Sequence, residues 1–173
     1  MVPQQAFTLI VPIKEGHTNE GHTHTQAVKD ILADIYQDTR GGTKVANPLA
    51  PFQDCKTIHF ARWFMLDNLK DTTGEAFQNM LGFTSNYDGE AANHYKELAS
   101  VLGKAFDKLY QHIEGYPDHP NEKQRISYLK QNNIAPKLFW ASMRGYTIND
   151  IRQEGVLRDQ VQEWLRTETK KED

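Results

Sequence analysis

Residues 57–66 read TIHFARWFML. In an extended chain, successive side chains point to opposite faces. Ile58, Phe60, Phe64 and Leu66 then share one face, and His59, Ala61, Trp63 and Met65 the other. Both faces are largely apolar, which is the pattern of a strand covered on two sides and not of a sheet with one face in water. If helices cover one face of this sheet, something else must cover the second.

The segments around this strand supply the helices and the rest of the sheet. Upstream, residues 6–14 (AFTLIVPIK) alternate with Phe7, Leu9, Val11 and Ile13 on one face, and Pro12 suits an edge or a frayed end because it lacks an N–H. A His-rich loop follows, and then a helix opened by Thr23-x-x-Gln26, with Val28, Ile31, Leu32 and Ile35 at helical spacing, closing at Gly41-Gly42. Residues 43–56, which include Pro48 and Pro51, read as an extended loop.

Downstream, residues 77–86 (FQNMLGFTSN) read as a third strand after a hairpin-length connection. Asp88 is placed to cap one long helix through Tyr95, Leu98, Leu102, Phe106, Leu109 and Ile113, which stops at Gly115-Tyr116-Pro117. An extra helix spans residues 120–133, a fourth strand residues 137–144 (KLFWASMR), and Thr147-x-x-Asp150 opens a last helix over about 147–167. The order is β-α-β-β-α-α-β-α. It predicts a single α+β domain over residues 1–173, with a ferredoxin-like βαββαβ core at about 6–145 and both crossover helices on one sheet face.

Composition narrows the function classes. Twenty Lys and Arg stand against 23 Asp and Glu, with no basic block, so bulk-charge binding to nucleic acid or to an anionic membrane is disfavoured. No stretch approaches the roughly 20 apolar residues of a membrane span. The first 13 residues have no basic region ahead of their short apolar run, unlike a secretory leader, and the lone Cys55 has no intramolecular partner. A cytoplasmic location is expected.

The blocks Ile58-His59-Phe60-Ala61-Arg62-Trp63 and Ser85-Asn86-Tyr87-Asp88-Gly89, set in this element order, resemble the dimeric α/β-barrel superfamily of ferredoxin-like proteins. The resemblance covers about residues 6–145. It implies a homodimer in which two sheets pack face to face. It also implies a ligand cleft between them, or the chemistry of relatives such as cofactor-free monooxygenases and haem-dependent peroxidases. Dye-decolorising peroxidases carry a Gly-x-x-Asp-Gly block, and Ser85 stands where its first glycine should be.

Candidate site residues follow. His59 is a general base or haem ligand if it faces a cleft beside Trp63, because imidazole exchanges protons near neutral pH; the competing role is a hydrogen-bonded core histidine. Arg62, three residues on, projects to the other face and pairs with a carboxylate such as Asp88 or Glu114, unless a bulge intervenes. Asn86 and Tyr87, at a strand end, and Arg144 are further ligand contacts. His17, His22 and His24 offer nitrogen donors for zinc, nickel or copper, against a solvated loop with helix-capping threonines. His94 and His119 are expected at the surface. Three functions stay open: a small-molecule-binding protein with a cleft on the open sheet face, an oxidoreductase using His59, and a structural or interaction module.

Overall fold

A computed structural model describes residues 2–39, 47–141 and 145–169. Strand β1 (Gln4–Pro12) leads to helix α1 (His24–Thr39), a single 3-10 turn at Phe52–Asp54, and strands β2 (Ile58–Leu66) and β3 (Met80–Asp88). Helices α2 (Ala91–Val101), α3 (Gly103–Tyr110), α4 (Glu122–Gln131) and α5 (Ile148–Thr169) complete the chain. The strands form one antiparallel sheet in the order β1-β3-β2, and the architecture is α+β.

The period-2 pattern of β1 is realised. Phe7, Leu9, Val11 and Ile13 are all buried, and their β3 counterparts Leu81, Phe83, Ser85 and Tyr87 join them on the helix-covered face. Aromatic rings fill this layer. Trp63 packs at centroid distances of 4.9 Å on Phe83, 5.4 Å on Phe52 and 5.7 Å on Phe106. Tyr110, Tyr116 and Tyr128 continue the cluster under α4, where Asp107 accepts from the Arg125 guanidinium and from the Tyr116 hydroxyl at 2.7 Å, tying α3 to α4.

Several expectations are corrected here. The long helix from Asp88 is two helices, α2 and α3, broken at Leu102. The α2 N-cap is Glu90, which makes no side-chain capping bond. The third strand lies two to three residues later than its pattern suggested. Residues 137–141 form no strand, and Leu138 and Trp140 are exposed; residues 142–144 lie outside the described part. Among its described residues this segment meets β1 at an isolated bridge, Leu9 with Asn133, where the Ile134 N–H donates to Thr8 O at 2.8 Å. In an antiparallel ladder the next donor on that side is residue 136, which is a proline without an N–H, so pairing stops.

The face of β2 that carries Trp63, expected at a cleft beside His59, is instead the covered one. Trp63 and Met65 pack against the helix-covered core, while Phe60, Arg62 and Phe64 lie on the open face. Arg62 is exposed and donates to Thr84 Oγ1 at 3.2 Å, so it pairs with neither Asp88 nor Glu114. A bulge sits at His59: Ile58 is opposite Tyr87 and Phe60 opposite Asn86, leaving His59 as the extra residue. The bulge turns Ile58 into the core, although simple alternation puts it on the Phe60 face.

Gly82, on the open face of β3, is required by close approach: a Cβ there would fall inside the Phe64 ring. Replacing Gly82 by Val should therefore cost about 1–3 kcal/mol in urea unfolding. Most of that cost should vanish in a Phe64→Ala background, and equal costs in both backgrounds would refute the contact as its source.

His94, expected at the surface, is wholly buried on α2. Its Nε2 shares a hydrogen bond of 2.8 Å with Ser85 Oγ, its ring stacks on Tyr87 at 3.7 Å, and its Nδ1 has no partner. Burial holds its pKa down to about 3, against 6.5 in an unfolded chain. A folded pKa below the unfolded one means that stability is intact above pH 6.5 and is lost as pH falls toward 3, at about 1.4 kcal/mol per unit. The protein should be roughly 2–3 kcal/mol less stable at pH 4.5 than at pH 7 from this group alone. In His94→Leu, unfolding curves at the two pH values should lie closer by that amount.

Candidate functional site

The sheet end that carries the His59 bulge is built around one carboxylate. Asp88, the last residue of β3, uses one oxygen to hold His59 Nε2 at 2.8 Å and the other to accept the Ile148 N–H at 2.8 Å. Both side chains are nearly sealed, 10% exposed for His59 and 7% for Asp88. Asp88 therefore does cap a helix, but the helix is α5, 60 residues away in sequence, and not the one that follows it. A carboxylate at a helix N-terminus satisfies an unpaired N–H and faces the positive end of the dipole. The Thr147–Asp150 pair completes the same end: Asp150 accepts from the Thr147 N–H at 2.8 Å, and the Asp150 N–H donates to Thr147 Oγ1 at 3.2 Å.

Beside this carboxylate lies a groove of about 280 Å³. His59, Phe60, Asn86 and Tyr87 form its sheet side, and Trp140, Tyr146 and Ile151 its outer wall. In the tautomer that donates from Nε2 to Asp88, Nδ1 carries the lone pair. That nitrogen can accept a hydrogen bond or a proton from a bound molecule. Trp140, 73% exposed, offers an aromatic face.

Of the sequence candidates, His59, Asn86 and Tyr87 come together in this groove. Trp63 does not, being packed beneath Phe52 and Phe83, and Arg144 lies outside the described residues. Tyr146 and Ile151 were missed because they enter from α5 and its approach. The Thr147–Asp150 cap was the visible signal that a helix begins there.

The His-rich loop is a small hairpin, with His17 bridged to Thr23 and the Thr18 N–H donating to His22 O at 2.7 Å. Thr23 caps α1 through the Gln26 N–H at 3.1 Å, which is the helix-capping role weighed for this loop. Among the described residues no group of three or more His, Cys, Asp or Glu is placed to hold a metal ion. His24 instead pairs with His112, Nδ1 to Nδ1 at 3.0 Å, and burial above all keeps both imidazoles below their ordinary pKa, helped by the charge of Lys14 at His24 and by His24 and then Lys14 at His112. Cys55 is fully buried, and burial pushes its thiol up to about 12, so it is inert packing.

Haem does not fit the groove. Its volume is at the bottom of the range for ordinary small ligands. Compared with protein-family models, characterised proteins and solved structures, the chain matches none.

Asp88→Ala removes both bonds at once. The first turn of α5 should lose amide-exchange protection and the protein about 1–3 kcal/mol, with Asp88→Asn intermediate, as read by hydrogen exchange and urea unfolding. Unchanged protection of the α5 amides would show that the cap is not held by this carboxylate.

Proposed function

We propose that the chain is a small-molecule-binding protein whose ligand lies in the His59 groove. The ligand class is a small, flat, mainly aromatic molecule with one hydroxyl or N–H. The observation that carries this is the buried Asp88–His59 pair at the edge of an aromatic groove: a fixed imidazole acceptor, one nearby amide at Asn86, and apolar walls around them. Ligand sites in general combine mostly apolar walls with a few convergent polar groups. The surrounding frame is a ferredoxin-like sheet short of its fourth strand, and this is supported by the β1-β3-β2 order with Asn133 bridged outside β1.

The same pair supports a second reading, cofactor-free proton abstraction. Asp88 orients the ring and stabilises the imidazolium that forms when His59 Nδ1 takes a proton from the bound molecule.

2-Naphthol, a flat phenol of suitable size, serves as the probe. It should quench or shift tryptophan emission in a saturable way, because Trp140 stands in the groove wall. His59→Ala and Trp140→Ala should each weaken binding about tenfold, while His119→Ala, far from the groove, should not. Binding that survives both groove substitutions would remove the site assignment. Proton abstraction would add a turnover that His59→Ala abolishes.

A further inference from the structure

The His59 groove continues past Phe60. A second hollow, of about 390 Å³, is lined by Phe60, Ala61, Arg62, Thr84 and Asn86. It shares Phe60 and Asn86 with the first, so the two adjoin across this one cross-strand pair. Strand geometry fixes their spacing. Side chains of one face recur at every second residue, which puts Arg62 and Thr84 one step, about 7 Å, along the sheet from Phe60 and Asn86. His59 and Arg62 then stand at opposite ends of one trough, at most about 10 Å apart along β2.

A cation without a counter-charge occupies the second end. Arg62 is exposed, and its Nε donates to Thr84 Oγ1 at 3.2 Å, which orients the guanidinium against β3. That bond uses one of the five N–H groups of the side chain. Nη1 and Nη2 make no ion pair or hydrogen bond among the described residues. The cross-strand row on which Arg62 sits, Thr8 with Thr84 and Arg62, holds no carboxylate. Asp88 is four residues further along β3, about 13 Å away, with one oxygen on His59 and the other on the Ile148 N–H.

We infer that the ligand of the His59 groove is an aromatic acid, with its ring along Phe60, its hydroxyl or N–H on His59 Nδ1, and a carboxylate at the far end held by Arg62. This rests on the binding role proposed above and makes Arg62 a specificity-determining residue of that site. The free edge of the guanidinium selects the anion. Nη1 and Nη2 present two parallel N–H bonds, a fork that matches the two oxygens of a planar carboxylate. A single cation balances a single negative charge, whereas a phosphate monoester carries close to two, and Arg62 is the one cation in the lining of this hollow. Length selects the skeleton. Polar groups about 8–10 Å apart, as on two fused rings substituted at opposite ends, reach from His59 to Arg62.

Magnitude limits what the contact can do. An exposed ion pair contributes little in water, and a bidentate one beside an apolar ring contributes more, so Arg62 should add about five- to tenfold in affinity. The ring and His59 supply the rest of the binding. Arg62 discriminates between an acid and a neutral molecule of the same shape.

Calorimetric titration of the full chain at about pH 7.5 and low salt tests this with three probes. They are 2-naphthol, 6-hydroxy-2-naphthoic acid, which is ionised at that pH, and the methyl ester of that acid, which keeps ring and hydroxyl but has no charge. The acid should bind about five- to tenfold more tightly than the ester, and added salt should shrink the difference. In Arg62→Gln, shown to be folded by circular dichroism, acid and ester should bind alike. His59→Ala should weaken the acid about tenfold. An acid that binds no better than its ester, or a preference that persists in Arg62→Gln, overturns the inference, while saturable binding of 2-naphthol leaves the groove assignment standing. Acid binding indifferent to His59→Ala would place it at Arg62 alone and overturn the single trough. If none of the three probes binds, the groove assignment and the inference fall together.

Discussion

The Asp88 carboxylate is the joint between the sheet and everything that projects from its end. It is the terminal residue of the central strand, and its two oxygens reach a side chain on the neighbouring strand and a main-chain N–H at the start of α5. Without it, His59 would be a partly buried imidazole with no orientation, and the first turn of α5 would leave a donor unsatisfied. One acidic side chain therefore fixes both the polar end of the groove and the direction in which a 22-residue helix departs.

Behind this joint the helix-covered layer is rigid for a different reason. Its interior is aromatic, from Phe7 and Phe83 through Trp63 and Phe106 to the tyrosines under α4, and large rings interlock with few rotamer choices. The few polar atoms within it, such as the Ser85–His94 pair, are shielded from water and kept neutral. The two layers divide the labour: one side of the sheet supplies stability, and the other carries Phe60 and Asn86, which line the groove.

What the sequence disclosed depended on how local each signal is. The alternation of residues 6–13 located β1 and its buried face, and Thr147-x-x-Asp150 located the start of α5, because both patterns lie within a few residues. The face of β2 was not legible, since Ala61, Trp63 and Met65 alternate with residues just as apolar; only the rings of α3 and β3 decide which side is covered. The bulge at His59 leaves no glycine or proline to announce it. It is set by pairing with β3, and so His59 and Phe60 reach the same groove although adjacent residues ordinarily diverge. Asp88 was read as a cap correctly in kind and wrongly in target, because its helix is distant in sequence. The missing strand at residues 137–141 follows from Pro136, whose effect on the ladder becomes visible only once Ile134 is known to pair with β1.

The bulge has a further consequence, for solubility. In the order β1-β3-β2 of the described residues, strand β2 is an outer edge, and the main-chain groups along such an edge are a template on which another chain can add a strand and begin a fibre. An inserted residue near the start of β2 breaks the regular spacing of those groups and increases the local twist, so an incoming flat strand loses register there. On the opposite edge, Pro12 and the Asn133–Ile134 crossing interrupt β1 in the same sense. The irregularity that brings an imidazole to the groove thus also discourages indiscriminate sheet growth.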